Sequence, residues 1–152
     1  MSAHILPIAP EYLAGVSKLE RLCFPNEPWS EQSLLVLCRE HGTGFVALSE
    51  EGAVLAYVGM TYAADEGSIT NVATHPDTRR QGLGRAVVSA LLTQAKALGL
   101  ANVYLEVRVS NEAAIALYRS LGFEEIGRRR HFYRQPTEDA LLMKATATLD
   151  TL

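Results

Sequence analysis

The sequence predicts an α+β fold: a mixed, mostly antiparallel sheet flanked by helices, in the order βααβββαβαββ. Three observations carry that expectation. Three consecutive strand-like runs, TGFVALS, AVLAYVGMTYA and SITNVATH, are separated only by Glu-Glu-Gly and Asp-Glu-Gly, which is hairpin turn material. A long amphipathic segment then joins SITNVATH to NVYLEVRV, a strictly alternating run, and a helical crossover between two strands forces a parallel pair. Finally, 152 residues with 48% apolar and 20% charged side chains supply one core, so a single domain over residues 1–152 is expected.

Taken in chain order, HILPIAP reads as a first strand and EYLAGVSKLERLCF as a first helix with Leu13, Val16, Leu19 and Cys23 along one side. Two prolines within FPNEPWS stop that helix. Ser30 is placed to cap a second helix, EQSLLVLCREH, with Trp29 positioned to staple onto Leu34 and the end near Gly42. After the three strands, a helix over 83–98 presents Val87, Val88, Leu91, Leu92, Ala95 and Leu98 on one face, with Gly99 closing it. NVYLEVRV is a strand by its period of two, and EAAIALYRSLG is a short helix closed by Gly122. FEEIGRRR and EDALLMKAT read as two final strands around a loop.

Composition excludes several classes. No run approaches the roughly 20 apolar residues that a bilayer span needs, and no basic, apolar leader opens the chain, so no membrane partner is expected. Cys23 and Cys38 lack CxxC spacing and the histidines lack metal-ligand spacing, so neither a disulfide nor a metal is expected. Two reduced core thiols fit a cytoplasmic location. A net charge of −3 argues against direct binding of nucleic acid through the whole protein's field.

The chemistry concentrates in TNVATHPDTRRQGLGR, residues 70–85. A β-branched run stops at a proline, and a basic turn with two glycines opens into a helix. The first N–H groups of a helix have no intrahelical partner and carry the positive end of its dipole. Glycines let such groups approach a phosphate, and Arg79, Arg80 and Arg85 add charge. Val87 stands where a dinucleotide fingerprint needs its third glycine, and no Gly-Lys-Ser/Thr follows for a P-loop. By spacing alone the turn is either purely structural or a pyrophosphate cradle.

Arg79-Arg80-Gln81-Gly82-Leu83-Gly84 resembles the R/Q-x-x-G-x-G/A pyrophosphate loop of the GNAT N-acetyltransferases, which bind acetyl-CoA, and the element order is similar to theirs over nearly the whole chain. FPNEPWS, RRQGLGRAVV, LEVRVSNEAAIALYRSLGF and EDALLM further resemble the RimI group, which acetylates the N-terminal alanine of a small-subunit ribosomal protein. The resemblance implies that Val72, Ala73 and Thr74 hold the acetyl and pantetheine arm through their backbone, and that Arg79, Arg80, Gln81, Gly82, Leu83 and Gly84 hold the pyrophosphate. Where the RimI group often has an apolar residue followed by Asp, this chain has Thr74 and His75, a change that backbone contacts survive.

Glu106, on the same strand face as Tyr104 and Arg108, reads from alternation alone as a solvated carboxylate. The resemblance makes it the general base, acting directly or through a water. Tyr118 reads as a core tyrosine by spacing, and the resemblance makes it the acid that protonates the coenzyme A thiolate. Asn111 reads as a helix N-cap, to which the resemblance adds a contact with the cofactor arm. Neither cysteine falls in these motifs, so direct transfer in a ternary complex is expected, with no acyl-enzyme.

An α-amine, with a pKa of ~7.7–8.0, is already about a tenth neutral at pH 7, whereas lysine at ~10.4 needs roughly 3.5 kcal/mol more before it can attack. That favours a protein N-terminus as acceptor, with a small amine or lysine as the alternative; a non-catalytic acetyl-CoA-binding module is the third, against which an intact Glu106–Tyr118 pair counts. GRRRHFYRQ, 127–135, reads as a solvated loop or an RNA-contacting patch. By resemblance it closes over the substrate peptide, with Phe132-Tyr133 where paired tyrosines are common, and with His131 as an auxiliary base ranked below Glu106.

Overall fold

A computed structural model describes residues 3–134 and 136–147. Seven strands and four helices follow the order expected: β1 (His4–Pro7), α1 (Leu13–Cys23), α2 (Glu31–Leu34), β2 (Gly42–Leu48), β3 (Val54–Ala63), β4 (Glu66–Thr74), α3 (Leu83–Ala97), β5 (Asn102–Arg108), α4 (Glu112–Ser120), β6 (Glu124–Tyr133) and β7 (Glu138–Thr146). The strands form one sheet in the order β1-β2-β3-β4-β5-β7-β6, antiparallel except for β4 against β5.

Two apolar clusters sit on opposite faces of the sheet. Leu13, Val16 and Leu19 of α1, with Leu34 and Leu37, pack on Val46, Tyr57 and Ala73. Val87, Val88, Leu91 and Ala95 of α3 pack on Ala56, Val58 and Met60 and, farther along, on Val103, Leu105, Leu141 and Met143. Tyr118 of α4 and Phe123 join that second cluster. Alternation along each strand therefore assigns every side chain to an α1 face or an α3 face.

Local signals are met where they were strong. The Ser30 side chain accepts from the Ser33 N–H at 3.1 Å, capping α2 as expected. Helices α3 and α4 both end in Schellman motifs: Leu100 N–H bonds to Ala95 C=O and Gly99 N–H to Lys96 C=O, and Phe123 and Gly122 repeat the pattern on Tyr118 and Arg119. In the second motif the apolar contact is Tyr118 against Phe123, with ring centroids 5.8 Å apart.

Three expectations need correction. The second helix is α-helical only to Leu34 and continues as a 3-10 turn over Leu35–Cys38, because buried Leu34 and Leu37 are three residues apart and a period of three keeps both inward. The basic stretch is not a loop: β6 runs through Tyr133 as the sheet's edge strand, with its register against β7 shifting between Glu125 and Gly127 and again between Arg129 and Tyr133. Charge along an edge strand discourages pairing with another sheet, which accounts for the exposed Arg128, Arg129 and Arg130 without any ligand. Gln135, the last residue of that stretch, lies outside the described residues. Cys23 and Cys38 are free thiols, but half-buried where two core residues were expected.

Candidate active site

The site follows from a break in the sheet. β4 and β5 pair only at Glu66↔Asn102, Gly67↔Val103 and Ser68↔Tyr104, although β4 continues to Thr74 and β5 to Arg108. The break has a local cause. Against β3, Ile69 pairs with Met60 and Asn71 with Gly59, so Thr70 is the extra residue of a bulge immediately beyond the last parallel pair. A bulge bends and twists its own strand, which carries 71–74 away from β5 and leaves an opening between the two strands.

The main-chain groups facing that opening can be read from the ladder. His75 N–H bonds to Leu55 C=O, so in the same antiparallel register Ala73 and Asn71 exchange bonds with Tyr57 and Gly59. Val72 and Thr74 are then non-bonded pairs whose N–H and C=O groups point away from β3 into the opening. Two contacts agree: Val72 N–H is accepted by Asn71 Oδ1 at 3.0 Å, and Thr74 C=O accepts from Arg79 Nε at 3.3 Å and from Cys23 Sγ at 3.4 Å. Of the three strand residues singled out from the sequence, Val72 and Thr74 face the opening, with Val72 N–H and Thr74 C=O held by those internal contacts, while Ala73 is engaged with β3 and buried beneath α1.

Beyond Thr74 the chain turns over Pro76–Thr78, where His75 Nδ1 accepts from the Asp77 N–H, and then enters α3 through Gly82. Gly82 is left-handed, with φ +80°, and has no side chain with which to cap the helix. The first intrahelical bond is Ala86 N–H to Gly82 C=O, so the N–H groups of Leu83, Gly84 and Arg85 have no partner within the helix. They form the positive end of a 15-residue helix beside the opening, chemistry that fits a pyrophosphate. Gly84 serves a different end from the one its motif suggests: a Cβ there would meet Thr74 Oγ1 at 3.2 Å and Leu117 Cδ2 at 3.5 Å, so its bareness seats the helix against β4 and α4. Two of the arginines also differ from expectation. Arg79 folds back onto Thr74 and Cys23, and Arg85 donates to Ser120 Oγ at 2.6 Å, tying α3 to α4. Arg80, with φ +68°, and Gln81 are exposed in the turn.

Across the opening, Val103, Leu105 and Val107 face α3 and Glu106 points to the α1 face. Its Oε2 is 3.0 Å from Arg129 Nε, and Arg129 in turn lies over the Phe132 ring at 5.6 Å. Tyr118, 7% exposed, has its pKa pushed up to about 12 by burial and then by Tyr133. Tyr133 is also raised to about 12, by burial and then by the Glu106 carboxylate, against the opposing pull of Arg108. The Tyr118 phenol thus feels Tyr133 and the Tyr133 phenol feels Glu106, while no hydrogen bond joins Glu106 to Tyr118 among the described residues. Nor does the Tyr118 hydroxyl bond to any described residue. Since no buried side-chain polar atom there lacks a partner, that oxygen reaches accessible space.

Arg108 fixes the β6–β7 connection, donating to Arg134 C=O and Pro136 C=O, pairing with Glu138 at 3.2 Å and stacking on Tyr133 at 4.5 Å. Glu138 also accepts from Ser110 N–H, and the Ser110 hydrogen bonds, more than Arg108, hold its carboxyl below the ordinary range. Asn111 caps α4 by accepting from Ala114 N–H at 3.2 Å, as its position suggested. His131 sits at φ +53° with its N–H on Asp139. Among the described residues, no group of three or more His, Cys, Asp or Glu side chains is placed to hold a metal, and no helix is long and apolar enough to cross a membrane.

Sequence reading missed one cluster. Glu20 is 0% exposed, and its carboxylate accepts from Tyr57 Oη and Asn71 Nδ2, both at 2.5 Å, and from Trp29 N–H at 2.9 Å. The signal was present: Glu20 lies four residues after Val16 and seven after Leu13, a carboxylate inside the apolar stripe of α1.

A sheet parted beside an uncapped helix N-terminus is an arrangement suited to a ligand that carries a pyrophosphate. The chain belongs to the acetyltransferase (GNAT) family, whose model matches residues 13–123. It is 42% identical over 120 residues to the [ribosomal protein bS18]-alanine N-acetyltransferase of Escherichia coli (strain K12), covering 76% of this chain and 79% of that one. The enzyme of the same description from Haemophilus ducreyi is 33% identical over 121 residues, 76% of this chain and 81% of that one. The crystal structure of the ribosomal-protein-S18-alanine N-acetyltransferase from Escherichia coli superposes with a TM-score of 0.89 at 34% identity, over 98% of this chain and 96% of that chain.

Proposed function

We propose that this enzyme, a single domain acting in the cytoplasm, acetylates the α-amine of a protein N-terminus, the terminal alanine of a small-subunit ribosomal protein. The observation that carries the reading is the opening between β4 and β5, with the unpaired, phosphate-suited N–H groups of α3 beside it and the Glu106 carboxylate on β5. The relatives described as acting on ribosomal protein bS18 support the choice of acceptor.

In this reading the N–H groups of 83–85, with Arg80 and Gln81, grip the pyrophosphate of acetyl-CoA, and the outward groups of Val72 and Thr74 hold the arm as an added strand would. Asn111, the N-cap of α4, adds a contact to the arm. Arg129 occupies Oε2 of Glu106 and leaves Oε1 to take the amine proton, directly or through a water. The freed lone pair attacks the thioester carbonyl carbon, the C–S bond breaks, the Tyr118 hydroxyl gives its proton to the sulfur, and the surplus proton on the new C–N nitrogen passes through water to the Tyr118 oxygen, leaving an amide, a free thiol and a neutral phenol. A phenol at about 12 remains protonated at every working pH. Its transfer to a thiolate, whose acid has a pKa of ~8.5 in water, is uphill, but the burial that lifts the phenol also lifts a thiol formed beside it.

The test offers wild-type enzyme and acetyl-CoA three acceptors, a peptide beginning with alanine, a peptide with only an internal lysine and a set of polyamines and amino sugars, with mass spectrometry of the products. Acetylation of the alanine terminus is expected; turnover confined to the small amines or the lysine overturns the acceptor assignment. Glu106→Gln should bind acetyl-CoA as wild type does and lose about 10²–10⁴-fold in turnover, most severely at low pH where fewer amines are neutral. Wild-type rates across the pH range would remove Glu106 from the mechanism.

A further inference from the structure

Any cation on β6 discourages edge pairing, so that role leaves unexplained why Arg129 turns back over the sheet to meet Glu106. The reach is built into the register. Glu106 is level with Leu142 on β7 and, beyond it, with Gly127 on β6, whereas Arg129 stands two residues on, level with Ala140 and Arg108. To touch Glu106 its side chain must cross β7, a strand-to-strand span of about 10 Å from β6 to β5. Arginine is long, the fully buried Ala140 beneath it is small, and Gly127 leaves the place level with Glu106 open, since a Cβ there meets nothing within 4 Å.

Beyond Arg129 the strand bulges. Arg129 pairs with Ala140 and Tyr133 with Glu138, so residues 130–132 stand opposite Asp139 alone. His131 makes the turn of this bulge at φ +53°, and Asp139 Oδ1 accepts its N–H. The Phe132 ring thereby comes round beside Arg129, its centroid 5.6 Å from the guanidinium carbon. A guanidinium held between a carboxylate and an aromatic ring has a fixed place even on the surface.

Held in this way, the pair is half spent. Arg129 Nε lies 3.0 Å from Glu106 Oε2, but neither Nη atom of Arg129 nor Oε1 of Glu106 has a hydrogen-bond partner among the described residues. The Arg129 side chain is 58% exposed and that of Glu106 32%, so both unspent ends are open to a ligand. They set an accepting oxygen beside fixed donors. The matching ligand offers an N–H and a carbonyl oxygen roughly 3 Å apart, and an α-amino acyl group has that pair, because only two carbon atoms lie between its nitrogen and its carbonyl oxygen. The ε-amine of lysine and the amines of a polyamine have no carbonyl at that spacing.

We propose that Arg129 selects α-amines: its Nη groups bind the carbonyl oxygen of the acceptor's first residue while Glu106 takes the proton of that residue's amine. This rests on the roles given above to Glu106 and to a protein N-terminus. The carbonyl contact seats the nitrogen at Oε1, and an acceptor without the carbonyl loses that alignment.

The test removes each partner of the contact in turn. A peptide beginning with alanine is compared with the same peptide carrying an E-alkene in place of its first amide, which keeps the extended shape and the amine but lacks the carbonyl. Relative kcat/KM for the two acceptors is measured in wild type and in Arg129→Ala, and their affinities in the presence of coenzyme A by calorimetry. The difference in basicity between the two amines is common to both enzymes and cancels in the comparison. Discrimination against the alkene should be about ten- to hundredfold greater in wild type than in Arg129→Ala, the loss expected for one hydrogen bond from a charged donor. Arg129→Gln serves in the same way if Arg129→Ala does not fold. A merely structural Arg129, one that only steadies Glu106, lowers both acceptors alike and leaves the discrimination where it was. Discrimination unchanged within threefold therefore overturns the proposal and leaves the acceptor assignment standing, whereas a wild type that acetylates only internal lysines or polyamines overturns both.

Discussion

Replacing Gly82 with alanine separates the backbone's contribution to cofactor binding from any question of space. A Cβ at this position meets nothing within 4 Å, so the methyl group itself is tolerated. The cost lies in φ +80°, which an L-residue adopts at a penalty of about 1–2 kcal/mol. The reduced freedom of the unfolded chain returns about 0.4–1 kcal/mol of that, leaving a net destabilisation near 1 kcal/mol. The turn can relieve the strain by rotating the peptide entering α3, and that rotation misdirects the N–H groups of 83–85. A hydrogen bond to a charged group contributes about 1.5–3 kcal/mol, and 1.4 kcal/mol is tenfold in affinity, so losing one donor should raise the acetyl-CoA Kd by roughly ten- to hundredfold. Gly52, in the turn between β2 and β3, supplies the control, with φ +88° and equally open surroundings outside the turn that enters α3. Calorimetric titration with acetyl-CoA and thermal melts of both variants form the assay. Similar losses of stability are expected, with weakened binding only in Gly82→Ala. Equal stability losses with unchanged Kd in both variants would refute the placement of the pyrophosphate at the start of α3.

Tyr118→Phe should lower turnover about a hundredfold with acetyl-CoA binding retained; an alkaline absorbance titration should lose one phenolate transition near 12, and a wild-type Tyr118 that ionises near 10 would contradict its burial. Because the folded-state pKa lies above that of a free phenol, the stabilisation from burying Tyr118 is whole below about pH 10 and is lost as pH rises toward 12. Glu138 has the opposite sign: its folded pKa is depressed, so its contribution is present above the ordinary carboxylate pKa and is lost as pH falls through the lowered value. Glu138→Gln should therefore flatten the acid side of the stability profile, followed by thermal melts between neutral and strongly acidic pH, and identical acid profiles for the two proteins would exclude the Ser110–Glu138–Arg108 linkage.

What the sequence determined by itself was local. Periods of 2 and 3.6 wrote the order of strands and helices, Ser30 and Asn111 announced their caps, and Gly99 and Gly122 marked two helix ends that close as written. The glycine turn before α3 was legible because an uncapped helix start depends on neighbouring residues alone. The tertiary structure decided how β4 leaves β5, since a one-residue bulge at Thr70 has meaning only against the register of β3. It also decided that Arg129 occupies Glu106, that the basic run is an edge strand, and that Glu20 meets partners 37 and 51 residues away. A carboxylate in an apolar stripe states that something must satisfy it but not what. The answer depends on which donors the folded sheet brings within about 3 Å, and hydrogen bonds of that reach carry no periodic trace along the chain.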